Sequence, residues 1–183
     1  MFMENTWSHL MDETHSSLRP IITRTWASVG CTPLVKVSGK REGVSIIGGL
    51  TEAGQMIALQ TKDSMNSLGF IEFLKHALKE VTGKLVIFAD NHRMHKTPLV
   101  LEFVKHNEDR LALEFTPCYA PECNPIEWVW GWVKGLLAMR CLGSVAALLE
   151  FWGQALMLGE LQGLLAKFWD ASAIGKYYQG TNA

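Results

Sequence analysis

Short apolar runs come first along this chain, and longer helical periods follow. Leu34–Val37, Val44–Leu50 and Met56–Leu59 read as strands, with Thr51-Glu52-Ala53-Gly54 as the turn between the last two, which predicts a β-meander. Further upstream, Trp7, Leu10 and Met11 are mixed with Ser8 and His9 and form no continuous apolar run. Past Asn66, a candidate helix cap, Phe70, Ile71, Phe73, Leu74, Ala77 and Leu78 recur at three- and four-residue steps. They predict one helix face, ending near Gly83. Leu85–Ala89 is unbroken apolar sequence, the signature of a strand buried on both faces, and it stops at Asp90. Thr97-Pro98 reads as N-cap and first helical residue of a helix through His106, and Leu111–Phe115 as the next strand. Strand, helix, strand at this spacing predicts a parallel crossover, and such sheets collect ligands at the carboxyl ends of their strands, where Asp90 lies.

From Thr116 to Pro125 the chain reads as a proline-rich loop, and a helix is expected from Asn124 onward. Trp128 and Trp132, four apart, are expected in the core, with Trp130 pointing elsewhere. Leu148, Leu149, Trp152, Leu156, Leu161, Leu164, Leu165 and Phe168 predict further helices, and Gly175–Ala183 a frayed end. Glu150 and three glycines interrupt the apolar stretch Cys141–Gly159. That pattern suits a buried helix or a subunit contact better than a membrane span.

With 183 residues the chain is expected to form a single domain over 1–183. Its 17 Lys+Arg against 18 Asp+Glu give a net charge of −1. Any nucleic-acid affinity must then come from a local patch or a bound cation, not from an overall basic field. Cys31, Cys118, Cys123 and Cys141 match neither a zinc motif nor a disulfide frame, and Met1–Leu10 lacks the order of an export signal. A reduced, cytoplasmic protein without a membrane partner is expected.

Three acidic positions are candidates for chemistry: Asp12, Asp90 and Glu127. Hard divalent cations take oxygen ligands, and a few carboxylates from separate elements can hold two ions about 4 Å apart around a phosphodiester. Each acid also has a plainer reading. Asp90 fits a turn cap, Glu127 fits a capping box with Asn124, and Asp12 fits an exposed turn.

The joint pattern is more specific. Leu85-Val-Ile-Phe-Ala-Asp90-Asn-His-Arg-Met-His95-Lys, then Phe115-Thr-Pro-Cys-Tyr-Ala-Pro-Glu-Cys-Asn-Pro-Ile-Glu127-Trp-Val-Trp130 and Lys134, resembles the catalytic domain of mariner-like DDE transposases, nearest their bacterial insertion-sequence branch. Thirty-six residues separate Asp90 from Glu127, similar to the family's spacing. Met11-Asp12-Glu13, Thr25-Trp26, Gly30 and Thr32-Pro33 resemble the family's first acid and the hairpin segment after it. The resemblance covers residues 11 to 138.

It implies an α/β fold of RNase H-like type: a mixed sheet, its first three strands antiparallel and the later ones parallel, flanked by helices, with Asp12 on the first strand. It implies two Mg²⁺ or Mn²⁺ ions held by Asp12, Asp90 and Glu127, nicking of transposon-end DNA, and attack of the freed 3′ hydroxyl on target DNA, at TA sites in relatives. Asn91, Arg93, His95, Lys96 and Lys134 are the weaker candidates for DNA contact. The family carries a helix-turn-helix reader ahead of the first acid, for which the residues before Asp12 leave no room, so the expectation is a truncated chain, a catalytic half encoded separately from its DNA reader, or an excised piece. A homodimer is expected as well, with Trp152, Leu156, Phe168 and Trp169 either pairing subunits or packing the core. Two alternatives stay open: a non-catalytic remnant that binds DNA or a partner, and another RNase H-like nuclease.

Overall fold

The computed structural model describes residues 6–35, 37, 39–117 and 124–172. Cys118, the Tyr119–Cys123 part of the proline-rich loop and the expected fraying over Gly175–Ala183 lie outside the described residues.

Five strands form one mixed sheet in the order β3-β2-β1-β4-β5. They are β1 (Thr6–Ser17), β2 (Gly43–Thr51), β3 (Met56–Thr61), β4 (Lys84–Ala89) and β5 (Leu111–Phe115). The first three pair antiparallel, while β4 runs parallel to β1 and β5 parallel to β4. This is the RNase H-like arrangement expected from the resemblance. The helices are α1 (Ser67–Glu80), α2 (Pro98–His106), α3 (Ile126–Leu137), α4 (Val145–Leu156) and α5 (Gly159–Ala171). Strand alternation feeds two cores. Met11, Ile47, Leu85 and Ile87 pack with Phe70, Phe73, Leu74 and Val100 on the α1 and α2 side. Ile46 and Leu50 pack with Ile126, Val129, Trp130, Trp152 and Leu165 on the α3, α4 and α5 side.

Local signals set most boundaries. Asn66 caps α1 by accepting from the Leu68 and Gly69 amides at 3.0 Å, and Ser144 caps α4 by accepting from Ala147 N. Arg110 closes the other end of α1, its Nη2 donating to Val81 O at 2.7 Å and Leu78 O at 3.1 Å. Gly54, at φ +73°, turns β2 into β3 and sits where a Cβ would meet Ala166 N of α5 at 2.9 Å. Among the described residues no helix is long and apolar enough to cross a membrane.

Three expectations are corrected. Leu34, Val35 and Val37 are not a strand: they belong to an irregular segment between β1 and β2, where Leu34 is 96% and Trp26 100% exposed. The first strand is instead Thr6–Ser17, whose polar residues hid it from an apolar-run search. Trp130, expected to point away, is buried on the Ile126, Val129, Val133 and Leu137 face of α3. Trp128 lies on the flank, 42% exposed, edge-on to Phe168. The aliphatic row of α3, not the tryptophan spacing, decides which side faces the sheet. Finally, Trp152, Leu156 and Trp169 are buried in the chain's own core, so they are spent on packing and not on a subunit contact.

Candidate active site

Asp12 lies just past the middle of β1, on the face covered by α3. Trp130 Nε1 donates to Asp12 Oδ2 at 3.1 Å, a contact across 118 residues of sequence. Room for the indole comes from Gly48, which pairs with Asp12 in the β1–β2 register. A Cβ on Gly48 would stand 2.8 Å from the Trp130 ring and 3.2 Å from Ile126 Cδ1. A glycine inside a strand marks such a close approach. Asn124 fixes the start of α3 to the same strand: its Nδ2 donates to Met11 O at 3.0 Å and its Oδ1 accepts from Ile126 N at 3.3 Å. Asn124 thus bonds α3 to β1, not Glu127 in a capping box.

Glu127 stands exposed in the first turn of α3, close enough for its charge to act on Asp12. Burial first, then the Glu127 and Glu13 carboxylates, push the Asp12 carboxyl from 3.8 up to about 7, against the Glu13 backbone amide and the Trp130 indole, which lower it.

Asp90 follows β4 directly. The β1–β4 ladder ends at Leu10 and Phe88, so Asp12 and Asp90 each stand two residues beyond the last pair. Asp90 Oδ1 accepts from His92 N at 2.9 Å, so the turn-cap role is real. Its carboxylate also meets His95 Nδ1 at 3.0 Å, while His95 Nε2 meets Glu13 Oε1 at 2.9 Å. His95 is fully buried, its ring 4.5 Å from that of Phe70. Burial alone would lower its pKa, but bonds and charges from Glu13 and Asp90 outweigh this and raise it.

This corrects one assignment. His95 cannot touch DNA phosphate, because its side chain is enclosed and both ring nitrogens face carboxylates. Asn91 donates to Thr116 O at 2.6 Å and accepts from Lys96 Nζ, and Lys96 lies over the Phe115 ring, so both are drawn toward the end of β5. Arg93 is exposed in the short 3₁₀ turn Arg93–Lys96, and Lys134 is half-buried on α3. Sequence reasoning missed Glu13, Asn124 and Trp130 as site residues. The signal it passed over was Gly48-Gly49 inside a strand.

Among the described residues no three His, Cys, Asp or Glu side chains already form a metal cage. Asp12 and Glu127 are brought together, whereas Asp90 is turned toward His92 and His95. The donor chemistry nevertheless fits a hard divalent cation. Burial, with the Glu127 and Glu13 charges added to it, holds the Asp12 carboxyl protonated up to near neutrality, and a cation on the Asp12 and Glu127 oxygens would offset both the burial and the repulsion.

The solved structures most similar in fold include the mariner Mos1 paired-end complex with Mg, with a TM-score of 0.62 and 11% identity over 96% of this chain and 56% of that one. The catalytic domain of Mos1 mariner transposase matches with a TM-score of 0.55 and 11% identity over 92% of this chain and 80% of that one. The Mos1 paired-end complex with the left transposon end matches with a TM-score of 0.61 and 13% identity. This chain covers 96% of itself but only 56% of that protein. None of the curated proteins matches the sequence. The model of the DDE superfamily endonucleases matches residues 8–148, from the start of β1 into α4 and across all three acids, and the chain belongs to that family.

Proposed function

We propose that this protein is the catalytic domain of a mariner-like transposase that cuts transposon-end DNA and joins it to target DNA. The observation that carries the reading is the tying of α3, with Glu127 in its first turn, to β1 beside Asp12 through Trp130 Nε1 on Asp12 Oδ2 and Asn124 Nδ2 on Met11 O, with Asp90 at the matching position past the end of β4, in a chain of the DDE family. Asp12, Asp90 and Glu127 are the residues that would hold two Mg²⁺ or Mn²⁺ ions. When bound, such ions sharpen an attacking oxygen and neutralise charge on the leaving one.

The chain's own part is to position. Trp130 and Gly48 keep Asp12 on the α3 face, and Asn124 sets the height of Glu127 relative to β1. In the proposed reaction water displaces the bridging oxygen of a phosphodiester at the transposon end and frees a 3′ hydroxyl. That hydroxyl then displaces the corresponding oxygen in target DNA, at the TA sites that the family resemblance implies. Arg93, Lys96 and Lys134 lie near the acids in sequence and are assigned to phosphate contact. Reading of the end sequence is assigned to a module outside this domain. Action on paired ends calls for a homodimer, for which exposed Ile22, Trp26, Val29 and Leu34 between β1 and β2 offer apolar area.

The test is Mn²⁺-dependent cleavage of supercoiled plasmid by the wild-type chain beside Asp90→Ala and Glu127→Ala, with folding checked by circular dichroism. Cleavage by wild type and loss in both folded variants is the expected result. Cleavage that survives either substitution, or no cleavage by any chain, would overturn the reading in favour of another nuclease centre or a non-catalytic remnant.

A further inference from the structure

Past Leu10 and Phe88 no backbone ladder joins β1 to β4, yet Asp12 and Asp90 stand beyond that point. The link there is made by side chains. Glu13 Oε1 lies 2.9 Å from His95 Nε2, and His95 Nδ1 lies 3.0 Å from Asp90 Oδ1 and 3.2 Å from Asp90 O. One imidazole therefore spans from the strand that carries Asp12 to the turn that carries Asp90.

We propose, resting on the transposase reading above, that Glu13 and His95 form a brace that ties the Asp90 turn to β1 and holds the Asp90 carboxylate by its Oδ1 for divalent-metal binding. Three features favour a brace over an incidental contact. Strand alternation puts Glu13 on the opposite face of β1 from Asp12, so it acts from behind the metal-facing side and leaves that side clear. The ring is enclosed: it is fully buried and packs on Phe70. Its short helical turn is tied to α1 by Ser67 Oγ donating to Met94 O at 2.9 Å, and Thr97 Oγ1 donates to the same carbonyl at 3.4 Å. Finally, among the described residues the Asp90 carboxylate is otherwise held only by its own turn, through His92 N. Groups that orient a metal-binding carboxylate in this way typically change metal affinity by about 10- to 100-fold when removed. Glu13 and His95 are thus positioning residues that touch neither substrate nor metal.

The experiment uses the full 183-residue chain as wild type, Glu13→Gln, His95→Gln and Asp90→Ala. Mn²⁺ binding is followed by the electron paramagnetic resonance signal of the free ion. The Mn²⁺ dependence of plasmid nicking and the thermal melt are measured on the same preparations. Expected are folded Glu13→Gln and His95→Gln chains that need roughly 10-fold or more Mn²⁺ for half-saturation in both readouts, with nicking at saturating Mn²⁺ close to wild type. A role in stability alone would lower the melting temperature and leave half-saturation unmoved, and that result overturns the brace. So does a reduced maximal rate with unchanged binding. If His95→Gln fails to fold, Glu13→Gln decides alone, since its side chain is 17% exposed and only its charge is removed. Asp90→Ala separates the two levels of argument. Binding lost there but untouched by Glu13→Gln overturns only the brace, whereas a wild-type chain that binds no Mn²⁺, or binds it regardless of Asp90, overturns the metal reading beneath it.

Discussion

Asp12 gives the most direct physical test of the site, because its carboxyl is held at about 7 instead of 3.8 when no metal is present. The folded state then retains a proton between those values that the unfolded chain has released. Stability must therefore fall as pH rises from about 4 to 7, which is opposite to the usual behaviour of a paired carboxylate. At about 1.4 kcal/mol per pKa unit the accumulated loss is on the order of 4 kcal/mol, complete above pH 7 and absent below pH 4. Asp12→Asn removes the titration while keeping an oxygen to accept from the Trp130 indole. In EDTA at pH 8 the variant is expected to be more stable than wild type by roughly 3 to 4 kcal/mol. With a urea dependence of about 2 kcal/mol per molar, this moves the unfolding midpoint up by one to two molar. At pH 4 the two midpoints coincide. The comparison must be a difference between the two chains, because buried His9, lowered to about 4, works in the opposite direction over part of the same window. Mn²⁺ should narrow the gap at pH 8, adding about 2.7 kcal/mol to wild type at 100 times its dissociation constant and about 4.1 kcal/mol at 1,000 times, where the gap closes, and little to the variant. Equal midpoints at pH 8 in EDTA, or a gap that persists unchanged to pH 4, would refute the account of Asp12.

Gly48→Ala puts a methyl 2.8 Å from the Trp130 ring; it is expected to cost about 1 to 3 kcal/mol in urea unfolding and to reduce Mn²⁺-dependent nicking more than the stability loss explains. Arg110→Ala removes the donors to Leu78 O, Val81 O and Gly83 O; a loss of roughly 2 kcal/mol with nicking of the folded fraction unchanged is expected, and reduced nicking per folded molecule would contradict the placement of the site. His9 is buried, with Nδ1 unpartnered among the described residues and a pKa lowered by burial from 6.5 to about 4. Since the unfolded chain takes up that proton first, wild type should lose about 3 kcal/mol relative to His9→Leu between pH 7 and pH 4; a pH-independent difference would show that the ring is solvated.

How much of this was legible beforehand follows from the kind of signal each element gives. The α1 helix, β4, the α2 crossover and β5 were readable because their burial comes from local periodicity: Phe70, Phe73, Leu74 and Ala77 fall on one helical face, and Leu85 to Ala89 is apolar throughout. The central strand β1 was not readable from pattern. His9, Asp12, Thr14 and Ser16 occupy positions that a core strand normally gives to aliphatics. Only the resemblance placed a strand there. The apolar residues at 34 to 37 misled for the converse reason, since an apolar run predicts a strand only if a sheet edge or face exists to receive it.

The sequence by itself determined the order of elements from β2 onward, the family-like acids at 12, 90 and 127 and their neighbours, because these are properties of residue type and local spacing. Tertiary structure decided which face of α3 meets the sheet, and so which tryptophan reaches Asp12. It also decided that Gly48 rather than a larger residue stands beneath that ring, and that His95 lies enclosed between Glu13 and Asp90 instead of facing solvent. The physical reason is range. Periodicity reports whether a residue is buried within a few helical or strand repeats, whereas these contacts join positions 118 and 82 residues apart, and only the packing of the sheet against its two helical layers selects them.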